Sequence, residues 1–146
     1  MDISLIQEPW VRDLEVKGFT DARYNLFYIS ISGKPRACVL VKKHIKAFLC
    51  SNFSSPDTTV VNLELMNKQS CLISSVYTAH DRPCPPQEVI TLQRLVGASP
   101  VLLGCNANSR HTLCGSSGTN ERDTRHQHFG ISIRQNDRQI LYFTLR

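Results

Sequence analysis

The stretch that decides the fold is Thr58–Leu103, which reads TTVVNLELMNKQSCLISSVYTAHDRPCPPQEVITLQRLVGASPVLL. It opens with two apolar runs, Thr58–Met66 and Cys71–Tyr77, in which β-branched residues are frequent. The polar residues Asn67-Lys-Gln stand between the two runs. Runs of this composition on either side of a short polar turn predict a β-hairpin.

A helix follows the hairpin. Pro85-Pro86 supplies the fixed backbone angle that suits a helix start, and Val89, Leu92 and Val96 then repeat at the spacing of one helix face. Gly97 is a natural residue to end the helix. The sequence therefore predicts an amphipathic helix between Pro86 and Gly97.

Four further apolar runs predict strands: Ile3–Gln7, Asn25–Ser32, Ala37–Val41 and Pro100–Leu103. A long polar stretch, Gly104–Arg125, follows the last of them and predicts a functional loop, because compact domains seldom carry idle connections of this length. Several strands, a helix, a strand and a polar loop indicate an α/β or α+β domain with a mixed sheet.

Composition limits the class of protein. The chain has 146 residues, 41% of them apolar, which is enough for one domain with a sizeable core. Its longest apolar runs, such as Ala37–Val41, are far shorter than the ~18 residues of a membrane span. The start of the chain has no basic segment followed by an apolar one, so we expect no secretion signal and an intracellular location, with nucleus and cytoplasm left open.

The charge and the cysteines carry weaker indications. A formal net charge of +5 is compatible with a polyanionic partner, although many proteins carry such a charge without one. The six cysteines form no C-x-x-C pair. Cys105, His111 and Cys114 could form half of a zinc site, but we favour small buried residues in a reducing compartment.

Three polar segments fall where a predicted strand gives way to a loop: Gln7–Trp10, Ser75–Asp81 and Leu103–His111. If their strands share a sheet, the segments converge on one rim. Each segment taken alone is more often merely solvated than catalytic. Other short motifs lie between and after them, namely Arg36-Ala-Cys38, Pro85-Pro86-Gln-Glu88, Gly104-Cys-Asn-Ala-Asn108, Gly115-Ser-Ser117 and Asn120-Glu-Arg122.

In this order and at these spacings, the motifs resemble the endonuclease domain of non-LTR retrotransposons. This group is a branch of the endonuclease/exonuclease/phosphatase superfamily, which includes the apurinic/apyrimidinic endonucleases. The resemblance runs from Asp2 to about Phe129. It implies a four-layered α/β sandwich with two packed mixed β-sheets, formed by one partial domain over residues 1–146.

The resemblance also implies Mg²⁺-dependent nicking of DNA. On that pattern Glu8 is the metal ligand, Tyr77 contacts the scissile phosphate, and Asn108 fixes the phosphate or the attacking water. Arg110, His111 and Arg122 would contact DNA. The implied partner is DNA rather than a membrane, in the context of a larger reverse-transcriptase polyprotein.

Departures from the family pattern predict impaired chemistry. Asn106 stands where the family has the Asp that activates water, and general-base catalysis of this kind is typically worth about 10²–10⁴ in rate. Arg110, Cys114 and Asp123 replace the family's His, Trp and Gly. We also expect truncation at both ends, because the family's earlier Asn strand and its final Asp-His pair have no counterpart here.

Three hypotheses follow. The chain is a partial copy of a retrotransposon endonuclease whose activity is weak or lost, a DNA-binding module that has lost the chemistry, or an active phosphodiesterase that uses Glu8 with His80 or His111 as a substitute base. The first is the one we prefer, because the departures fall within the best motif. A zinc-binding domain is the remaining alternative.

Overall fold

The computed structural model describes residues 2–65, 69–79, 82, 86–96, 101–106 and 141–144. One α-helix, α1, occupies Gln87–Val96 of the described chain, and a short 3-10 helix lies at Ser51–Phe53. The strands are β1 (Ile3–Gln7), β2 (Val11–Arg12), β3 (Glu15–Val16), β4 (Tyr24–Phe27), β5 (Ala37–Lys42), β6 (Ala47–Leu49), β7 (Thr58–Glu64), β8 (Ser70–Tyr77), β9 (Val101–Asn106) and β10 (Leu141–Thr144).

The larger sheet has five strands in the order β10-β9-β8-β7-β6. Strands β7 and β8 pair antiparallel, with Val61 opposite Ile73, so the predicted hairpin is confirmed. Strand β9 pairs parallel to β8, and α1 lies between the two in the chain, so the sheet is mixed. The parallel pair brings the ends of β8 and β9 to the same edge of the sheet.

The smaller sheet has three strands in the order β1-β5-β4 and is antiparallel in its described pairs. Strands β2 and β3 form a separate two-stranded hairpin directly after β1. The smaller sheet thus presents the end of β1, and the short hairpin that follows it, beside the larger sheet.

The core lies in two layers on either side of the larger sheet. Between the sheets, Val39 and Val41 of β5 pack with Val61, Leu63 and Ile73 of the larger sheet. A second cluster covers the opposite face of that sheet and is centred on Leu92 of α1, with Val60, Val76, Val89, Val101, Leu103 and Cys105. Leu92 is fully buried, as the apolar face of the predicted helix requires.

The predicted α/β sandwich of packed sheets is confirmed. In the described residues its successive layers are the smaller sheet, the larger sheet and the helix α1. Strand β1 has the predicted bounds, Ile3–Gln7. In the part of the chain that the structure describes, no helix is long and apolar enough to cross a membrane.

Two predicted boundaries were wrong. The strand predicted at Asn25–Ser32 ends at Phe27, because the chain turns at Ser30–Gly33 and leaves Ile31 95% exposed. The polar loop predicted from Gly104 begins later, because Gly104, Cys105 and Asn106 continue β9. Pairing with Ser75–Tyr77 of β8 supports these residues as a strand in spite of their polarity.

Candidate active site

The ends of β1, β8 and β9 meet at one rim of the sandwich. The Gln7 side chain at the end of β1 donates hydrogen bonds to the Ser75 hydroxyl at 2.9 Å and to the Gly104 carbonyl at 3.3 Å. The Ser75 hydroxyl donates in turn to the Ile6 carbonyl at 2.8 Å. These bonds join the smaller sheet to both parallel strands of the larger one. The three strand ends therefore converge, although their strands lie in two packed sheets and do not share one sheet as the sequence analysis supposed.

Glu8 lies immediately after β1, with an exposed side chain. Its φ of 53° is in the left-handed region, which costs a residue with a side chain roughly 1–2 kcal/mol. The Glu8 N–H donates to the Arg36 carbonyl at 2.8 Å, and Pro9 is buried behind it. Contacts on both sides therefore hold this strained turn and direct the carboxylate outward at the rim.

Tyr77 ends β8, and its Cα is paired with that of Asn106, the last residue of β9. The Tyr77 N–H donates to the Asp57 carbonyl at 2.8 Å. The Arg36 guanidinium lies over the Tyr77 ring, 5.0 Å from the ring centre, which is within the range of a cation–π contact. Tyr77 is thus fixed through its backbone and its ring.

Arg36 and Asp57 form the ion pair that supports this rim. The guanidinium donates two hydrogen bonds to the Asp57 carboxylate, at 2.6 and 2.7 Å, in the bidentate geometry that gives such pairs their strength. The Asp57 side chain is only 10% exposed, and Arg82 approaches the same carboxylate at 3.7 Å. Arg36 therefore connects Glu8, through its carbonyl, with Tyr77, through its guanidinium.

A cleft of about 250 Å³ opens beside Tyr77. Asp57 and Arg82 line one part of it, and Gln87 and Glu88 at the start of α1 line another. The cleft therefore has carboxylates and a guanidinium next to the phenol of Tyr77. This volume would accommodate a small polar group between Tyr77 and the start of α1.

The donor set fits Mg²⁺ in one particular way. Among the described residues, no three carboxylate, histidine or cysteine side chains cluster as a metal cage. Asp57 is already held by Arg36, and the Gln7 amide by Ser75 and Gly104. Glu88 at the cleft is half-buried, whereas Glu8 is exposed at the end of β1. One exposed carboxylate suits a cation that keeps most of its waters and takes further oxygens from a phosphate.

Cys105 is a small buried residue, as we expected of the cysteines. It is buried in the cluster around Leu92, and its sulfur lies 3.7 Å from the Thr78 hydroxyl. The predicted zinc partners His111 and Cys114 lie outside the described residues. Cys38, also fully buried, shows the same use of cysteine as a small apolar residue.

Of the predicted site residues, Glu8, Tyr77 and the backbone of Asn106 come together at the rim. Asn108, Arg110, His111 and Arg122 lie outside the described residues, as does His80. Sequence reasoning missed the roles of Arg36, Asp57 and Arg82. The motif Arg36-Ala-Cys38 is visible in the sequence, but Asp57, the partner of Arg36, lies 21 residues away in the chain, and a single sequence carries no sign of such a pairing.

The endonuclease domain of TRAS1, a telomere-specific non-LTR retrotransposon, has a similar structure. The TM-score is 0.72 at 19% sequence identity, and the match covers 99% of this chain and 69% of that one. This chain has an endonuclease-domain fold. The resemblance found in the sequence is thereby confirmed at the level of the fold. No protein-family model and no curated protein matches the chain.

The rim can now be described within this fold. Strand ends from both sheets of an endonuclease-domain sandwich meet where Gln7 bridges to Ser75 and Gly104. The residues beside that bridge are a carboxylate, a phenol and an amide residue. Among these three residues only Glu8 carries a negative charge.

Proposed function

We propose that this chain is a DNA endonuclease domain of retrotransposon origin whose Mg²⁺-dependent nicking is impaired. The observation that supports it is the joining of Glu8, Tyr77 and Asn106 at one rim, through the Gln7 bridge and the parallel pairing of β8 and β9. Hydrolysis of a phosphodiester needs a cation, a contact to the phosphate and a means of activating water. The rim offers Glu8 as a ligand for the cation and Tyr77 as a contact for the phosphate, but no carboxylate at position 106 to activate water.

Glu8 would hold the Mg²⁺ ion. When bound, such an ion polarises a phosphoryl oxygen and stabilises the leaving oxygen. Tyr77 would orient the same phosphate through its hydroxyl. Because Arg36 lies against the ring and Asp57 holds the backbone, the phenol is fixed before the substrate arrives, and less entropy is lost on binding.

Asn106 is the reason to expect slow chemistry. A carboxylate at this position could accept a proton from water, whereas an amide cannot do so near neutral pH and carries no charge to attract one. A general base of this type contributes about 10²–10⁴ in rate. Asn106 would still hydrogen-bond a water or a phosphate oxygen, so binding would be kept while the rate falls.

The test is nicking of supercoiled plasmid in Mg²⁺ by the native chain and by Glu8→Gln. Glu64→Gln is the matched control, since Glu64 is an exposed carboxylate on β7 that pairs with Lys46 at 3.1 Å. We expect slow nicking that stops in Glu8→Gln and on chelation of Mg²⁺ and continues in Glu64→Gln. Nicking that is equally fast in Glu8→Gln would contradict the proposal.

The rival function is DNA binding without chemistry, and the absence of charge on Asn106 favours it. It predicts binding that weakens steeply with salt, because Lys and Arg side chains release counterions from the phosphates. It also predicts no Mg²⁺-dependent nicking even when a carboxylate is restored at position 106. The two functions therefore differ in the behaviour of Asn106→Asp.

A further inference from the structure

The hairpin that follows Glu8 carries the chain's only tryptophan on its surface. Trp10 is 68% exposed, which is unusual for the side chain with the most apolar area to hide. The buried residues Pro9 and Val16 anchor the hairpin on its other face. The indole is therefore presented outward from a fixed base, two residues beyond the candidate metal ligand.

The backbone of the hairpin is defined by its turn and its ladder. Asp13 and Leu14 form its two-residue turn with φ of 53° and 61°, the pair of left-handed residues that a type I′ turn requires. Val11 pairs with Val16 and Arg12 with Glu15, and the Lys17 N–H donates to the Trp10 carbonyl at 2.8 Å. The position of the Trp10 backbone is thus set by the ladder and not by a loose loop.

Two cations share the face of the hairpin that carries the indole. Lys17 lies opposite Trp10, and Arg12 lies two residues after Trp10, opposite Glu15 on the same face. Arg12 contacts Asp13 at 3.6 Å and Lys17 contacts Glu15. Exposed pairs of this kind are worth about 0–1 kcal/mol, so a phosphate can displace the carboxylates at small cost.

We propose that Trp10 is a stacking platform for an unstacked nucleobase of the DNA strand. An exposed aromatic ring on the same face as two cations matches a nucleic acid strand, in which bases alternate with phosphates. The Cα atoms of Glu8 and Trp10 are at most ~7 Å apart, so the platform lies within about two nucleotides of a phosphate bound to an ion at Glu8. The location of the base rests on the proposed function, whereas stacking itself can be measured without any nicking.

The test uses the intrinsic fluorescence of Trp10 during titration with a thymidine oligonucleotide of about 16 nucleotides, the upper end of single-domain site sizes. Stacking predicts quenching that saturates with binding. The control is the double variant Trp10→Phe/Phe48→Trp, which moves the only tryptophan to another exposed aromatic position, 59% exposed on strand β6. Its fluorescence should stay unchanged on binding.

Affinity, measured with a labelled oligonucleotide, gives the second readout. We expect Trp10→Ala to weaken binding about 5- to 150-fold, the range for loss of one stacked base, while Trp10→Phe keeps most of the affinity. Phe48→Ala should bind like the native chain. The salt dependence should be unchanged in Trp10→Ala, whereas Arg12→Gln should lower its slope by about 0.7 if Arg12 contacts a phosphate.

The outcomes separate this inference from the proposed function. Unquenched Trp10 fluorescence at saturating DNA, native affinity in Trp10→Ala, or no binding at all would each overturn the platform. Glu8-dependent nicking would leave the proposed function standing in any of those cases. Quenching without nicking would support the platform and point to the binding-only rival.

Discussion

At the residue scale, the backbone of Glu8 is strained, and this strain lowers the stability of the chain at the position that carries the exposed carboxylate. Its left-handed backbone is a conformation that glycine adopts freely and glutamate does not. Strained residues of this kind persist where surrounding contacts determine them, and they occur often at functional sites. Here the Arg36 carbonyl and buried Pro9 supply those contacts.

This strain gives a prediction about stability. The free energy of unfolding of Glu8→Gly should be about 1 kcal/mol higher than that of Glu8→Ala, because only glycine adopts the left-handed backbone without strain. Equilibrium unfolding followed by circular dichroism measures the difference, and both variants should lack Glu8-dependent nicking. Equal stability of the two variants would mean that the turn is not strained in solution.

Cys38 gives a prediction about pH. Burial raises the pKa of its thiol from 9.0 to about 12, because the buried site disfavours the thiolate. The native state therefore keeps a proton that the unfolded state loses, so this group's contribution to stability is present below about pH 9 and is lost as the pH rises toward 12. In Cys38→Ala, the decline of stability over that range should be smaller, as urea unfolding at several pH values would measure.

The reactivity of the thiols checks the same point. At about pH 8.5 an ordinary exposed thiol is half ionised and is alkylated readily. Cys38 in the native chain should react far more slowly than the half-buried Cys50 and Cys71, and at a normal rate after unfolding. Rapid native alkylation of Cys38, located by peptide mass, would show that it is not buried.

At the scale of elements, the contact between β1 and β9 sets how closely the two sheets approach. A side chain at Gly104 would place its Cβ 2.7 Å from Leu5 Cδ1 and 3.1 Å from Leu5 Cβ. Glycine is therefore required by the close approach of the sheets. The same approach lets Gln7 reach the Gly104 carbonyl.

Gly104→Ala should accordingly destabilise the chain by about 1–3 kcal/mol, the usual cost of overpacking a core. Leu5→Ala removes one of the clashing atoms, so the double variant Leu5→Ala/Gly104→Ala should lose less than the sum of the two single changes. Urea unfolding of all four proteins measures the coupling. Additive losses would mean that the two strands do not touch as described.

The Arg36–Asp57 pair joins the start of β5 to the start of β7 and, through Tyr77, to the end of β8. Arg36→Gln should destabilise the chain by about 1–3 kcal/mol, because it leaves a nearly buried carboxylate without its main partner. Arg36→Lys should recover only part of that loss, since lysine has neither the bidentate fork nor the flat stacking surface. Full recovery in Arg36→Lys would show that charge alone matters.

Strands and helices with a clear pattern of apolar residues were predictable from the sequence. Strands β1, β5, β7 and β8 and the helix α1 follow from local runs of apolar residues. The hairpin β2–β3 was missed because its two-residue strands are too short to show alternation, and its turn uses Asp13 and Leu14, not the usual Asn-Gly. The last residues of β9 were missed because their strand conformation depends on pairing with β8.

At the scale of the whole molecule, the motifs predicted which strand ends would meet but not what holds them together. Glu8 and Tyr77 belong to local motifs, and their convergence follows from the fold. The bridge from Gln7 to Gly104 spans 97 residues, and the pair between Arg36 and Asp57 spans 21. Such contacts depend on three-dimensional packing, so a single sequence cannot supply them.

The central claim is that Asn106, beside Glu8 and Tyr77 at the rim, stands where a general base would need a carboxylate, and Asn106→Asp tests it most directly. The rate of plasmid nicking in Mg²⁺ should rise about 10²–10⁴-fold over the native chain, because the new carboxylate can accept a proton from the attacking water. The gain should vanish in Asn106→Asp/Glu8→Gln. A folded Asn106→Asp variant that nicks no faster than the native chain would contradict the account.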